Sequence, residues 1–140
     1  MNAEQIDLAR QIDGLPGFAM HPGMRDHDGV RVIRLVRGRK HYADGVNEDA
    51  DPETPNDGWV EFFADEVDPD GIDAMPDLTD AATGGVLLGW LAEMGLGLNV
   101  SVREMRWSVS IMLGRAHSHY DGGTLAEACA RALVAIGRCA

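Results

Sequence analysis

Residues 98–113, LNVSVREMRWSVSIML, decide the fold of this chain. Within them, apolar and polar side chains alternate in two runs, which is the period of a half-buried β-strand. The apolar side chains of the two runs are Leu98, Val100 and Val102, then Met105, Trp107, Val109, Ile111 and Leu113. They occupy even positions up to Val102 and odd positions from Met105, and a tight turn at Arg103-Glu104 would explain the switch. The pattern therefore predicts an antiparallel hairpin, whose turn lacks the common Asn-Gly pair.

A helix is predicted before this hairpin, over residues 80–94. Asp77 or Thr79-Asp80 can cap its N-terminus. Apolar side chains surround most of its circumference, so we expect neighbouring elements on several sides. Gly85 and Gly89, four residues apart, would allow one of those elements to approach the helix backbone closely.

A third strand and a second helix are predicted after the hairpin. Gly114-Arg115 can turn the chain into a strand over residues 116–120. Thr124-Leu125-Ala126-Glu127 is a capping box, and apolar side chains follow it at helical spacing up to Ile136. We therefore predict a C-terminal α-β-β-(β)-α unit within an α+β fold, a small antiparallel sheet with helices packed on one face.

The N-terminal half is less regular. Asn2-x-x-Gln5 can cap a helix over residues 3–13, and the β-branched residues of 30–36 predict a strand. Residues 42–57 contain two prolines, several carboxylates and few large apolar side chains, so we predict an acidic, Pro-rich loop. Trp59-Val60-Glu61-Phe62-Phe63 then predicts a short aromatic strand.

Length and composition bound the class of protein. The 140 residues fit one domain, 1–140, with a real core. The N-terminus does not read as a signal peptide, and no apolar run approaches the roughly 18 residues of a membrane span, so we expect a cytoplasmic protein. Cys129 and Cys139 are ten positions apart on or beside one predicted helix, about 15 Å, which is too far for a disulfide. We expect Cys129 in the core and Cys139 as an exposed thiol in the tail.

Negative charge is concentrated in one stretch. Residues 44–80 hold fourteen carboxylates and no Lys or Arg, while the formal net charge of the whole chain is -11. The rest of the chain is therefore net positive, and its clearest basic group is Arg25, Arg31, Arg34, Arg37, Arg39 and Lys40. A confined block of one sign is suited to electrostatic attraction of a partner. The candidate partner-binding residues are Glu48, Asp49, Asp51, Glu53, Asp57, Asp65, Glu66, Asp68, Asp70 and Asp73.

No catalytic motif stands out in the sequence, and no cofactor is expected. A Gly-x-Ser-x-Gly motif, a phosphate-binding loop and a complete calcium loop are all missing from it. His117 and His119 are weak metal-ligand candidates, because alternate residues of a strand point to the same side. Histidines near carboxylates, among them His21, His27 and His41, leave open a His-dependent or metal-dependent hydrolase.

The C-terminal half resembles a group of small, uncharacterised phage and prophage proteins. Residues 75–88, MPDLTDAATGGVLL, are similar to the P-D-L-x-D-P-A-T-x-G-x-L-L stretch of that group, with Ala81 in place of its Pro and Val86 in place of its more usual Cys. Trp107 and the Thr124 to Leu133 helix stand in the order of the group's Trp-bearing strand pair and T-x-x-E-A end helix. The resemblance covers residues 75–137. It implies a phage or prophage origin and an α+β fold, and it implies no activity.

Charge and resemblance together favour a non-enzymatic phage or prophage accessory protein in the cytoplasm of a bacterial host. We expect it to bind a basic host or phage protein through its acidic surface, and not nucleic acid or a membrane directly. Inhibition of a nucleic-acid-binding defence complex is the most concrete version of this hypothesis. The alternatives are the hydrolase and a structural component of the virion.

Overall fold

The computed structural model describes residues 1–29, 31–36, 39–46, 59–63 and 75–139, with backbone alone between 33 and 63. Three helices and two three-stranded antiparallel sheets lie in these ranges, with strand orders β1-β2-β3 and β4-β5-β6. The predicted α+β fold is confirmed. In chain order the elements are α1 Ala3–Asp13, β1 Arg31–Val36, β2 Arg39–Val46, β3 Trp59–Phe63, α2 Ala81–Glu93, β4 Gly97–Arg103, β5 Arg106–Leu113, β6 Ala116–Gly122 and α3 Leu125–Ile136.

The hairpin predicted from residues 98–113 is present, but its turn lies one residue further along. Val102 pairs with Trp107 and Arg103 with Arg106, so the two turn residues are Glu104 and Met105. Their φ angles are 51° and 61°. Such positive values are typical of the tight hairpin turn that normally selects Asn-Gly. Two ordinary L residues occupy a conformation that favours glycine.

The third strand and the last helix complete the predicted C-terminal unit. β6 pairs with β5 and extends to Gly122, two residues beyond the predicted end. α3 begins at the expected cap, where the Thr124 side chain accepts a hydrogen bond from the Glu127 backbone N–H. It packs against β5, β6 and α2. The helices therefore bury the middle of the sheet's apolar face, around Val109 and Ile111, while Val102 and Leu113 toward its ends are about half exposed.

The core is formed mainly by α1, α2, α3 and this second sheet. Fully buried side chains from each of them meet in one cluster that includes Ile12, Leu87, Leu91, Ile111 and Leu133. The close helix contact is made at Gly84, where a Cβ atom would lie 2.9 Å from the Ala126 nitrogen. The expectation for Gly85 and Gly89 was wrong, since a Cβ atom at either would meet nothing within 4 Å. Their four-residue spacing did not reveal which side of the helix faces α3.

The N-terminal predictions are confirmed in part. α1 has the predicted capping box, in which Asn2 and Gln5 exchange side-chain-to-backbone hydrogen bonds. β1 and β3 lie where strands were predicted. The predicted loop at 42–57 was wrong at its start, because residues 42–46 belong to β2, and its remaining residues lie outside the described ranges. Tyr42 and Ala43 pair with both neighbouring strands and Val46 pairs with β3, while Asp44-Gly45 lie at the register shift between Ala43 and Val46.

Among the described residues, we find no helix that is both long and apolar enough to cross a membrane.

Candidate functional site

The ten carboxylates proposed from the sequence as partner-binding residues lie outside the described ranges. They are Glu48, Asp49, Asp51, Glu53, Asp57, Asp65, Glu66, Asp68, Asp70 and Asp73. The structure does describe the last two carboxylates of the acidic block, Asp77 and Asp80. Both are buried and both form ion pairs, so the end of the acidic block is part of the fold.

Asp80 joins the N-terminus of α2 to Arg31, the first residue of β1. Its carboxylate accepts hydrogen bonds from the Thr83 backbone N–H at 2.8 Å and from the Thr83 hydroxyl at 3.0 Å. Arg31 donates to both carboxylate oxygens, at 2.8 and 3.1 Å. Burial opposes ionisation of Asp80, but these donors outweigh it and lower the pKa of Asp80 from 3.8 to about 2. The charged form is therefore the one that the fold stabilises.

Asp77 makes a second, similar connection. One carboxylate oxygen accepts hydrogen bonds from the Thr79 backbone N–H at 2.9 Å and its hydroxyl at 2.6 Å. The other lies 2.9 Å from Nε and 2.6 Å from Nη2 of Arg25. Burial raises the pKa of Asp77 and the four donor contacts lower it, with a net decrease. The basic group around Arg25 and Arg31 thus partners the acidic block at two specific sites.

Backbone hydrogen bonds place the two ends of the central segment, residues 33–74, beside each other. The stretch Gly23–His27, which we call the anchor, binds both ends. Its Met24 carbonyl accepts from Val32 N–H at 2.8 Å, at the start of β1. On the returning side, the Arg25 carbonyl accepts from Asp77 N–H at 2.8 Å, and His27 N–H donates to the Met75 carbonyl at 2.9 Å. The chain therefore leaves the anchor and returns to it.

The face of the second sheet turned away from the helices is mainly polar, and it also carries Met112. Strand register places Asn99 and Ser101 of β4, Ser108 and Ser110 of β5, and His117, His119 and Asp121 of β6 on this open face. Arg103 and Arg106 flank the hairpin turn. A shallow depression of about 530 Å³ at this end is lined by residues that include Ser101, Arg103, Arg106 and Asp121. The face offers hydroxyl, imidazole and guanidinium groups to solvent.

The structure brings the two metal-ligand candidates of this face together. The ring centroids of His117 and His119 are 4.4 Å apart, and the ring planes make an angle of 64°. Ser110 is directly opposite His119 on β5, and its Oγ lies 2.7 Å from Nδ1 of that histidine. Both histidines are exposed. No group of three or more His, Cys, Asp or Glu that could hold a metal occurs within the described part of the chain.

The other histidines occupy separate positions. His27 Nε2 lies 3.5 Å from an oxygen of Asp28, while the ring of His21 packs edge-on against Trp90 at 6.4 Å. The side chain of His41 lies outside the described residues. The structure therefore brings one predicted histidine–carboxylate pair together, where the anchor ends.

Both cysteines are buried, and Cys129 is in the core as predicted. The prediction of an exposed thiol at Cys139 was wrong, because the Cys139 backbone N–H donates to the Pro16 carbonyl at 3.0 Å and holds the end of the chain against the loop after α1. Burial raises the pKa of Cys129 to about 12 and that of Cys139 to about 11. Neither thiol is suited to nucleophilic chemistry, for which the thiolate is the reactive form.

Sequence reasoning missed the contact between Ser110 and His119, although the sequence carries a signal for it. A two-residue turn at Gly114-Arg115 pairs Leu113 with Ala116. Three residues further from the turn on each strand, the same register places Ser110 opposite His119.

We compared the chain with protein-family models, with curated proteins and with solved structures, and none of the three comparisons found a match.

Proposed function

We propose that this chain is a non-enzymatic phage or prophage accessory protein that binds a basic host or phage protein through the acidic residues between 48 and 73. The observation that carries the proposal is the separation of roles within the acidic block. Asp77 and Asp80 are used by the fold, where Arg25 and Arg31 hold them. The other twelve carboxylates of the block precede them in the sequence, with no Lys or Arg among them.

The anchor supports this proposal because it determines where the central segment begins and ends. A binding segment tied at both ends loses less conformational freedom on association than a free tail of the same length. Hydrogen bonds at Val32, Met75 and Asp77 provide those ties. The ion pairs of Asp77 and Asp80 reinforce the returning end.

The negative charge of the acidic block supports a basic protein as the partner. A dense set of carboxylates attracts a basic surface, speeds association and makes it dependent on salt. Proteins that bind nucleic acid present basic surfaces to phosphates, so a defence complex of that kind is the most specific partner class that we propose. The proposed phage origin rests on the resemblance of residues 75–137.

The test compares two variants that remove the same number of charges. The first carries Asp65→Asn, Glu66→Gln, Asp68→Asn and Asp70→Asn. The matched control carries Asp7→Asn, Asp13→Asn, Glu93→Gln and Asp121→Asn, all at exposed positions of the described fold. Each chain is used as bait in a host lysate, and the affinity of the captured protein is then measured at low and high salt.

We expect the first variant to bind the captured partner more weakly by about 1–4 kcal/mol, or roughly 5- to 1000-fold, if each lost ion pair contributes 0.2–1 kcal/mol. The control should bind within about twofold of the unmodified chain. Equal affinities of the two variants, or an affinity that salt does not change, would refute the proposal.

A further inference from the structure

The open face of the second sheet carries a set of donor atoms that are far from the acidic segment in the sequence. His117 and His119 are alternate residues of β6, so their side chains leave the strand on the same side. On the adjacent strand Met112 lies directly opposite His117, and its side chain is 48% exposed. Two imidazoles and one thioether therefore share one patch of the surface.

The spacing of the two rings agrees with binding to one ion. An imidazole nitrogen lies about 2.0–2.1 Å from a bound metal, which places the ring centre about 3.2 Å from it. Two such rings would have centres about 4.5 Å apart at a right angle and about 5.2 Å apart at a tetrahedral angle. The observed separation is 4.4 Å, close to the right-angle value. Right angles between nitrogen ligands are typical of tetragonal Cu²⁺, whereas Zn²⁺ favours the tetrahedral angle.

Ser110 supplies the support that a metal-binding histidine usually has. Its Oγ contacts Nδ1 of His119 at 2.7 Å, and within the described residues Nε2 of that ring makes no hydrogen bond. Proteins commonly orient a metal-binding imidazole through the ring nitrogen that does not touch the metal. In the tautomer whose Nδ1–H donates to Ser110 Oγ, Nε2 of His119 carries the lone pair that binds an ion.

The third donor, the Met112 thioether, favours copper over the other metals that imidazoles bind. A thioether is a soft ligand that selects Cu⁺, and among divalent ions copper binds nitrogen ligands most tightly. The side chain of Met112 lies beside Gly97 of β4, where an added Cβ atom would lie 3.2 Å from the Met112 Cβ and 3.8 Å from its sulfur, so the thioether would turn toward β6 to reach the ion. The three donor side chains include no carboxylate, the ligand that would favour Mg²⁺ or Ca²⁺.

We propose that His117, His119 and Met112 form a copper-binding site on the open face of the second sheet, with water completing the coordination of the ion. The site is independent of the acidic segment and of the function proposed above. Ser110 is a positioning residue in it.

The experiment titrates the untagged chain with Cu²⁺, and separately with Cu⁺ under a reductant in competition with a colorimetric Cu⁺ chelator. Millimolar Mg²⁺ is present throughout to occupy the carboxylates. We expect one ion per chain and a Cu²⁺ paramagnetic resonance spectrum with two nitrogen ligands. His117→Ala and His119→Ala should each lower Cu²⁺ affinity on the order of 10²-fold, because a chelate becomes a single ligand.

Two further variants separate the roles in the site. Met112→Leu conserves volume and should weaken Cu⁺ binding at least about tenfold while changing Cu²⁺ binding less, because the thioether prefers the softer ion. Ser101→Ala, on the same face but outside the patch, is the control and should change neither affinity. Circular dichroism checks that each variant is folded. Unchanged copper affinity after both histidines are replaced, or tighter binding of Zn²⁺ than of Cu²⁺, would overturn the proposal.

Discussion

Replacing Asp80 should show how strongly Arg31 holds the N-terminus of α2. Asp80→Asn removes the charge but keeps a side chain that caps helices well. The pKa of Asp80 is lowered from 3.8 to about 2, and a shift of that size corresponds to roughly 2 kcal/mol of stability at neutral pH. The side chain of Asp80 is only 8% exposed, whereas that of Arg31 is 40% exposed, so solvent makes this value an upper estimate. Asp80→Ala also removes the cap and should cost about 1 kcal/mol more.

The predicted effect depends on pH in a defined direction. Because the folded-state pKa is below the unfolded value, the contribution of Asp80 is fully present above about pH 5 and is lost as pH falls toward 2. Urea denaturation should therefore show the unmodified chain more stable than Asp80→Asn by up to about 2 kcal/mol at pH 7, with roughly half of that difference left at pH 3. Trp90, on α2, provides a fluorescence signal for the transition.

The control is Asp7→Asn, because Asp7 is 74% exposed and faces Arg10 at 3.6 Å. That exposed pair should contribute no more than about 0.5 kcal/mol at either pH. Equal denaturation midpoints for Asp80→Asn and the unmodified chain at pH 7 would refute the reasoning. So would a difference between the two that stays constant down to pH 3.

Two other predictions concern the backbone. Replacing the turn pair with Glu104→Asn and Met105→Gly should raise the free energy of unfolding by about 1–2 kcal/mol, because both residues have positive φ angles; an unchanged thermal midpoint would contradict this. In α2, Gly84→Ala should destabilise the fold by about 1–3 kcal/mol, because the added Cβ atom would be too close to Ala126. Gly85→Ala, next to it, should stabilise the fold by about 0.5–1 kcal/mol, because alanine favours the helix and nothing lies within 4 Å. Denaturant midpoints that change in the same direction for both variants would contradict the packing.

The C-terminal unit could be predicted from sequence because each of its signals is local. Alternation defines the strands of the hairpin, and the Thr124 capping box defines the start of α3. The turn was predicted one residue too early. The change of the apolar side chains from even to odd positions shows only that the chain turns between Val102 and Met105. A turn with Asn-Gly would have marked its own position, and Glu104-Met105 does not.

The features that sequence reasoning missed depend on contacts between distant parts of the chain. Residues 42–46 have the composition of a loop, yet they belong to β2, in which Tyr42 and Ala43 pair with strands on both sides. Cys139 is near the chain end, where exposure is the usual expectation, but Pro16 holds it. The roles of Gly84 and Gly85 differ only because one of them faces α3. In each case the contacting residues are far apart in the sequence, so no local sequence pattern predicts the contact.

The ion pairs of Asp77 and Asp80 determine which carboxylates can be used to test partner binding. Asp77 and Asp80 belong to the same acidic block as Asp65 and Asp70, and composition alone treats them alike. Because the first two hold Arg25 and Arg31, neutralising them would destabilise the fold and lower binding to any partner. A loss of affinity identifies an electrostatic interface only in variants that retain Asp77 and Asp80 and unfold at the same denaturant concentration as the unmodified chain.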